Sequence, residues 1–215
     1  MLNKKEIGAI IVLTIILAFS ISLHKISDET GIAMFLPALL GVFIALMVNV
    51  LVKKITAFYM DTEIEVKIWE FKKWGFRAHD KFKKNFPAGA FFPVIFAIIL
   101  APLKGITWMA SLVFEVKAQK YKTAKRHGYY SFSEATENNI GGIAAAGVIA
   151  NLIFAIIFYM MGYSYFAEIN LWLAFFSMIP ISDLDGNKIF FGNNILWVVL
   201  AIASLIGLGY GFLLV

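Results

Sequence analysis

The stretch GIAMFLPALLGVFIALMVNVLV, residues 31–52, runs for 22 residues without a charged side chain, and Lys53-Lys54 closes it. An α-helix rises about 1.5 Å per residue, so about 20 apolar residues cross the roughly 30 Å of a bilayer's hydrocarbon. The only strongly polar residue inside the run is Asn49. The same pattern recurs outward from it. Residues 7–23 form an earlier uncharged run, and residues 141–161, 164–181 and 195–215 form later apolar ones. Residues 88–114 are apolar too, but Pro102-Leu103-Lys104-Gly105 interrupts them, and a Pro with a Lys in mid-span argues for a kink, a break or a hairpin. The pattern predicts an all-α polytopic membrane protein with five to six transmembrane helices, forming a single membrane domain over residues 1–215.

Composition agrees. Hydrophobic residues make up 60% of the chain and charged ones 15%, with a mean hydropathy of +0.80. A soluble domain is about half apolar and about a quarter charged. The net charge of +5 brings no base-stacking motif with it, so no nucleic acid is expected as a partner. There is no cysteine, which excludes disulfides, thiolate metal ligands and a Cys nucleophile. Met1-Leu2-Asn3-Lys4-Lys5 ahead of the first run resembles the start of a secretory leader. The run is long and no small-residue cleavage pattern ends it, so it reads as an uncleaved span.

Lys and Arg gather in two polar stretches, nine in residues 53–86 and five in residues 115–139, with two more ahead of the first run. Basic residues collect in cytoplasmic loops, which predicts a multi-pass protein of the cell membrane with its N-terminus and the 53–86 loop cytoplasmic, and the lipid bilayer as its first partner. The 115–139 stretch should then be cytoplasmic as well. A single crossing at 88–114 would place it outside, so either the charge rule fails there or the segment folds back; charge alone leaves both open. Within 53–86, Glu63-Ile64-Glu65-Val66-Lys67-Ile68 alternates polar and apolar, predicting a short β-strand near 62–69 with Ile64, Val66 and Ile68 facing inward. Trp69, Phe71 and Trp74 among Lys72, Lys73 and Arg77 read as an interfacial aromatic belt.

Three blocks, in order, resemble the site-2 protease family of intramembrane zinc metalloproteases. The most specific is Phe176-Ser177-Met178-Ile179-Pro180-Ile181-Ser182-Asp183-Leu184-Asp185-Gly186, similar to the family's Asn-Leu-x-Pro-x-x-x-Leu-Asp-Gly block, with Ser177 where the family has Asn. The second, residues 142–152, resembles the family's Ala-Gly-Pro-x-x-Asn segment at Ala146-Gly147-Val148 and Asn151, with Val148 in place of Pro. The third, residues 61–69, is similar to the edge strand that follows the family's active-site helix. The resemblance implies that Asp185 stands at the position of the third zinc ligand, and that residues 31–52, 141–161 and 164–181 form the core.

The departure lies at the end of the second span. The family carries His-Glu-x-x-His there, two His on one helical face for zinc and a Glu to activate water. This sequence reads Val48-Asn49-Val50-Leu51-Val52, so the matching positions are Val48, Asn49 and Val52. A catalytic zinc needs three protein ligands and an open position, and an amide is no general base near neutral pH. The resemblance therefore implies the scaffold without its zinc, and the first expectation is a pseudoprotease that binds a transmembrane client helix or regulates an active paralogue. Asn49, Asn151 and Asp185 form a candidate intramembrane polar cluster that satisfies itself by hydrogen bonds. Plain interhelical bonding for the two amides, and a helix-cap role for Asp185, are the simpler readings. Two other functions stay open: an active intramembrane peptidase with a non-standard site drawing on Asp183, Asp185 and His79, and a small transporter or lipid-handling protein. His24, His79 and His127 fall in separate polar loops and read as surface residues, and Gly207 with Gly211 reads as internal helix packing.

Overall fold

The computed structural model describes residues 2–23, 34–73, 81–99, 107–117, 120–122, 130–132 and 135–214. His24, Trp74, Arg77, His79, Asp80, His127 and the break at 102–105 lie outside the described residues. Seven helices lie within them: α1 (Lys4–Leu23), α2 (Phe35–Tyr59), α3 (Ala88–Ile99), α4 (Glu137–Met160), α5 (Ser164–Ser177), α6 (Asp185–Gly192) and α7 (Asn194–Leu214). Four of them, α1, α2, α4 and α7, are long and apolar enough to cross a membrane. Their outer faces carry large exposed apolar side chains at helical spacing, as with Ile7, Ile11, Ile15 and Phe19 on α1 and Ile195, Val198, Val199 and Ile202 on α7. The central helix is α4, which packs on α2, α5 and α6, while α1 packs on α2.

The chain is not wholly α-helical. Six short strands form three antiparallel pairs: β1 (Glu63–Ile68) with β4 (Leu112–Lys117), β2 (Phe71–Lys73) with β3 (Lys81–Phe86), and β5 (Lys120–Lys122) with β6 (Tyr130–Phe132). The first of these strands is the one expected near 62–69, and Ile64 and Val66 are buried as its alternation requires. Val66 sits opposite Phe114, and Lys67 is ion-paired with Glu115 on the partner strand.

The β1–β4 pair explains the interrupted apolar run at 88–114. That run is not one helix: α3 stops at Ile99, and Leu112, Val113 and Phe114 belong to β4. The twelve residues of α3 rise only about 18 Å, too little for a crossing. Both ends of the segment meet the same residue, because Gly89 N–H donates to the Trp69 carbonyl at 2.9 Å and Trp69 N–H donates to the Ser111 carbonyl at 2.8 Å. The segment thus returns to where it leaves, and both basic stretches attach at one end of the helices. Trp69 itself is no interfacial residue. It is fully buried and stacks on Trp108 with ring centroids 6.0 Å apart, with Phe92 edge-on at 5.3 Å. An aromatic residue beside lysines looks like a belt in sequence, but here the return of 107–111 covers it.

Glu6 fastens α1 to this end. Its carboxylate is 1% exposed, accepts the Val66 backbone N–H at 2.9 Å and the Asn3 N–H at 2.6 Å, and is ion-paired with Lys54 at 2.8 Å. The Val66 N–H points away from β4, so Glu6 satisfies a strand edge that no other strand covers among the described residues. Replacing Glu6 by Ala leaves that N–H buried without an acceptor and strips Lys54 of its counter-charge. A loss of about 3 kcal/mol is expected, read as a lowered thermal midpoint of the purified protein in detergent, with Glu6→Gln losing less.

Candidate functional site

The most unusual feature of the interior is an ion pair. The Lys53 ammonium lies 2.5 Å from an Asp185 carboxylate oxygen, and the two residues are 3% and 2% exposed. The helix of the second apolar run does not end at Lys53. The helix runs on through it to Tyr59, because Thr62 and Asp61 supply the stop: Thr62 N–H and its hydroxyl both donate to the Ala57 carbonyl, and Asp61 takes a left-handed φ of 51°. The extra turns carry Lys53 into the protein beside Gly147 of α4.

Two glycines make room for the pair. A β-carbon on Gly147 would overlap the Lys53 side chain and stand 3.0 Å from the Asn49 amide nitrogen, so α4 presents bare backbone where α2 presents its two polar residues. A β-carbon on Gly186 would overlap the Met178 carbonyl, so the Asp-Gly step lets α6 start hard against the end of α5. Asp185 then stands in the first turn of α6, where the helix dipole favours a carboxylate. Helices α2 and α4 run antiparallel here, with Met60 beside Gly142 and Lys53 beside Gly147.

Asn49 lies one turn before Lys53 on α2, and Asn151 one turn beyond Gly147 on α4; both are buried. They do not hydrogen-bond to Asp185 or to each other as a self-satisfying trio would. Among the described residues, the Asn49 amide nitrogen, both amide atoms of Asn151 and the second Asp185 oxygen have no hydrogen-bond partner. The expected partner of Asp185 is replaced by Lys53, which the sequence offered as a span terminator. Val48 and Val52 are half-buried, whereas Lys53 meets Asp185 and Asn49, one turn before it, is buried against Gly147 of α4. The i and i+4 positions on the helical face that carries Lys53 to Asp185 are therefore 49 and 53, one residue on from the register in which 48 and 52 stand for the ligands. Ser177 and Val148, the two other departures from the family blocks, are both buried. Gly207 faces the Leu171 side chain of α5 and so packs within the chain.

A second lysine borders the site. The Lys188 ammonium donates to the Phe114 carbonyl at 2.5 Å and stands 3.7 Å over the Phe114 ring, while the Lys53 ammonium lies 5.6 Å from the same ring. Burial pushes the Lys188 ammonium down to about 8, partly offset by the charge of Asp185. Lys53 also pushes it down, while Asp183 and Glu115 pull it up. The zinc carried by the family that the sequence resembles does not fit these residues. Lys53 brings a positive charge to the carboxylate that would hold the metal, and Asn49 offers an amide in place of an imidazole. Among the described residues, no three His, Asp or Glu side chains come together.

No family model matches this chain, and neither the curated proteins nor the solved structures compared with it include a match. What stands on geometry is the class: a mostly helical protein with four apolar helices long enough to span a membrane, small antiparallel ribbons at one end and a buried lysine–aspartate pair between α2 and α6.

Breaking the pair from one side strands a buried charge, whereas removing both charges does not. Lys53→Ala is expected to cost about 3–5 kcal/mol, and the double replacement Lys53→Met with Asp185→Val to return the thermal midpoint to the wild-type value or above it. Lys188 gives a pH signature. Its folded pKa of about 8 lies below the unfolded value of 10.5, so the unfolded chain holds the proton between them and stability rises with pH across that window. The rise should be present in the wild type and absent from Lys188→Met when thermal midpoints are compared from pH 7 to 11.

Proposed function

We propose that this chain is a multi-pass membrane protein with a site-2-protease-like core that does not cleave peptides, and that it binds transmembrane helices or regulates an active relative. The observation that carries this reading is the 2.5 Å pair between Lys53 and Asp185. Asp185 is the residue that matches the family's third zinc ligand, and Lys53 shares its helical face with Asn49 at the i and i+4 spacing that two zinc-binding imidazoles need. An internal ammonium stands in for the metal's positive charge, so the carboxylate stays buried and compensated without any ion. The surrounding α2–α4–α5–α6 packing is kept, and the chemistry is removed. The membrane assignment draws on the exposed apolar faces of α1, α2, α4 and α7. A cytoplasmic N-terminus is supported by α1 beginning at the end where both basic stretches attach.

Metal binding and cleavage test this directly. The purified wild type should hold no stoichiometric zinc and leave membrane-spanning peptides intact; cleavage abolished by a chelator would overturn the reading. The combination Asn49→His, Val50→Glu and Lys53→His should bind about one zinc per chain, with Asp185 as third ligand. The neighbouring combination Val48→His, Asn49→Glu and Val52→His should not, because 48 and 52 lie off the face that meets Asp185. Zinc uptake by neither combination would remove the family core from consideration.

A further inference from the structure

Away from the ion pair, α4, α5 and α7 enclose a cavity of about 320 Å³. It exists because α7 is bare on that side: Gly207 and Gly211 line it, and a β-carbon on Gly207 would stand 2.7 Å from the Leu171 side chain. Its apolar walls include Ile156 and Ile206, which are 60% and 65% exposed, so it opens on the apolar outer face of the helices. Within that lining sits one carboxylate, Glu168, and no basic side chain among the described residues. Glu168 accepts the Trp172 indole N–H at 3.3 Å, a long bond. Tyr159 and Tyr210 border the same cavity with their rings edge-to-face, centroids 5.6 Å apart and hydroxyls 3.2 Å apart.

A carboxylate in an apolar cleft is costly without a cation beside it, and aromatic faces add attraction for the same charge. The cleft lies at the lower end of the roughly 300–1,000 Å³ typical of ligand pockets, room for one chain and not for a two-chain lipid. We propose that this cavity binds a single-chain amphiphile headed by an ammonium group, with the ammonium against Glu168 and the two tyrosine rings and the chain along α4 and α7. The proposal is independent of the protease-like reading, since it uses none of Asn49, Lys53, Asn151 or Asp185.

Dodecylamine is the probe, titrated into the full chain held in nanodiscs of phosphatidylglycerol, with tryptophan emission as the readout because Trp172 touches Glu168. A saturable change is expected in the wild type and not in Trp172→Phe. Its midpoint should rise at least about tenfold in Glu168→Gln, and dodecanol should bind at least about tenfold more weakly than dodecylamine. Equal midpoints for wild type and Glu168→Gln, or for amine and alcohol, would overturn the assignment. Replacing half the lipid by phosphatidylethanolamine should leave the midpoint within about twofold; a tenfold weakening there would give the cavity to a two-chain lipid's headgroup and overturn the single-chain occupant. Should Glu168→Gln fail to assemble, Ala203→Phe at the cavity's open side serves instead, and unchanged binding in it would likewise defeat the proposal.

Discussion

The lysine–aspartate pair between Lys53 and Asp185 constrains everything around it. Taking two charges out of water costs several kcal/mol per ion even after relaxation, and their attraction offsets this only at close contact. The pair makes that contact at 2.5 Å, across 132 residues of chain. It can do so only if α2 extends past its apolar stretch, if α4 leaves space beside Lys53 and if α6 begins tight against the end of α5. Each condition has its own local cause: the Thr62 and Asp61 stop after Ala57, the absence of a side chain at Gly147, and the absence of one at Gly186. A side chain at either glycine would push the helices apart, lengthening a charge contact that tolerates little lengthening.

The same end of the molecule is organised by a second acid–base contact of a different kind. Lys54 follows Lys53 directly in the chain, but it keeps some exposure, and its partner Glu6 also takes up backbone N–H groups. One lysine of the Lys53-Lys54 doublet thus turns inward to α6 and the other toward α1. Two adjacent residues on a helix point about 100° apart, which is why a doublet that reads as one charge cluster serves two separate partners. Lys188 completes the border by reaching the Phe114 carbonyl from α6 and so ties β4 to the same group of helices.

The sequence makes the long helices legible because uninterrupted apolar runs of the right length have few other uses. The strand at β1 is legible for an equally local reason, its strict alternation. What is not legible comes from contacts between distant segments. Residues 88–114 read as an apolar stretch broken at 102–105 that either crosses once or folds back, and only the Trp69 bonds to Gly89 and Ser111 reveal that the chain comes back. Trp69 reads as interfacial from its basic neighbours, although its surroundings are the rings of Phe71, Phe92 and Trp108. The role of Lys53 is the hardest to read, since a lysine at the end of an apolar run looks like a solvated terminator, whereas its side chain is buried against Asp185. A signal was available: Asn49 and Lys53 are four apart, and a helix puts both on one face, opposite the small residues of 141–147.

The one-residue difference between the register of 48 and 52 and that of 49 and 53 bears on what kind of site this is. With valines facing Asp185, the carboxylate would be an isolated charge in an apolar interior, and such a position would neutralise itself or be lost. With Lys53 facing it, the charge is compensated by a side chain that cannot dissociate from the protein. A metal is held by several donors and leaves a coordination position open to a reactant, whereas an ammonium at hydrogen-bond distance closes the position it occupies. On the reading proposed above, that difference separates the scaffold from the reaction. On that reading, too, the helices keep a charge-compensated centre that fixes their packing, and a centre closed by an ammonium gives water no place to be activated.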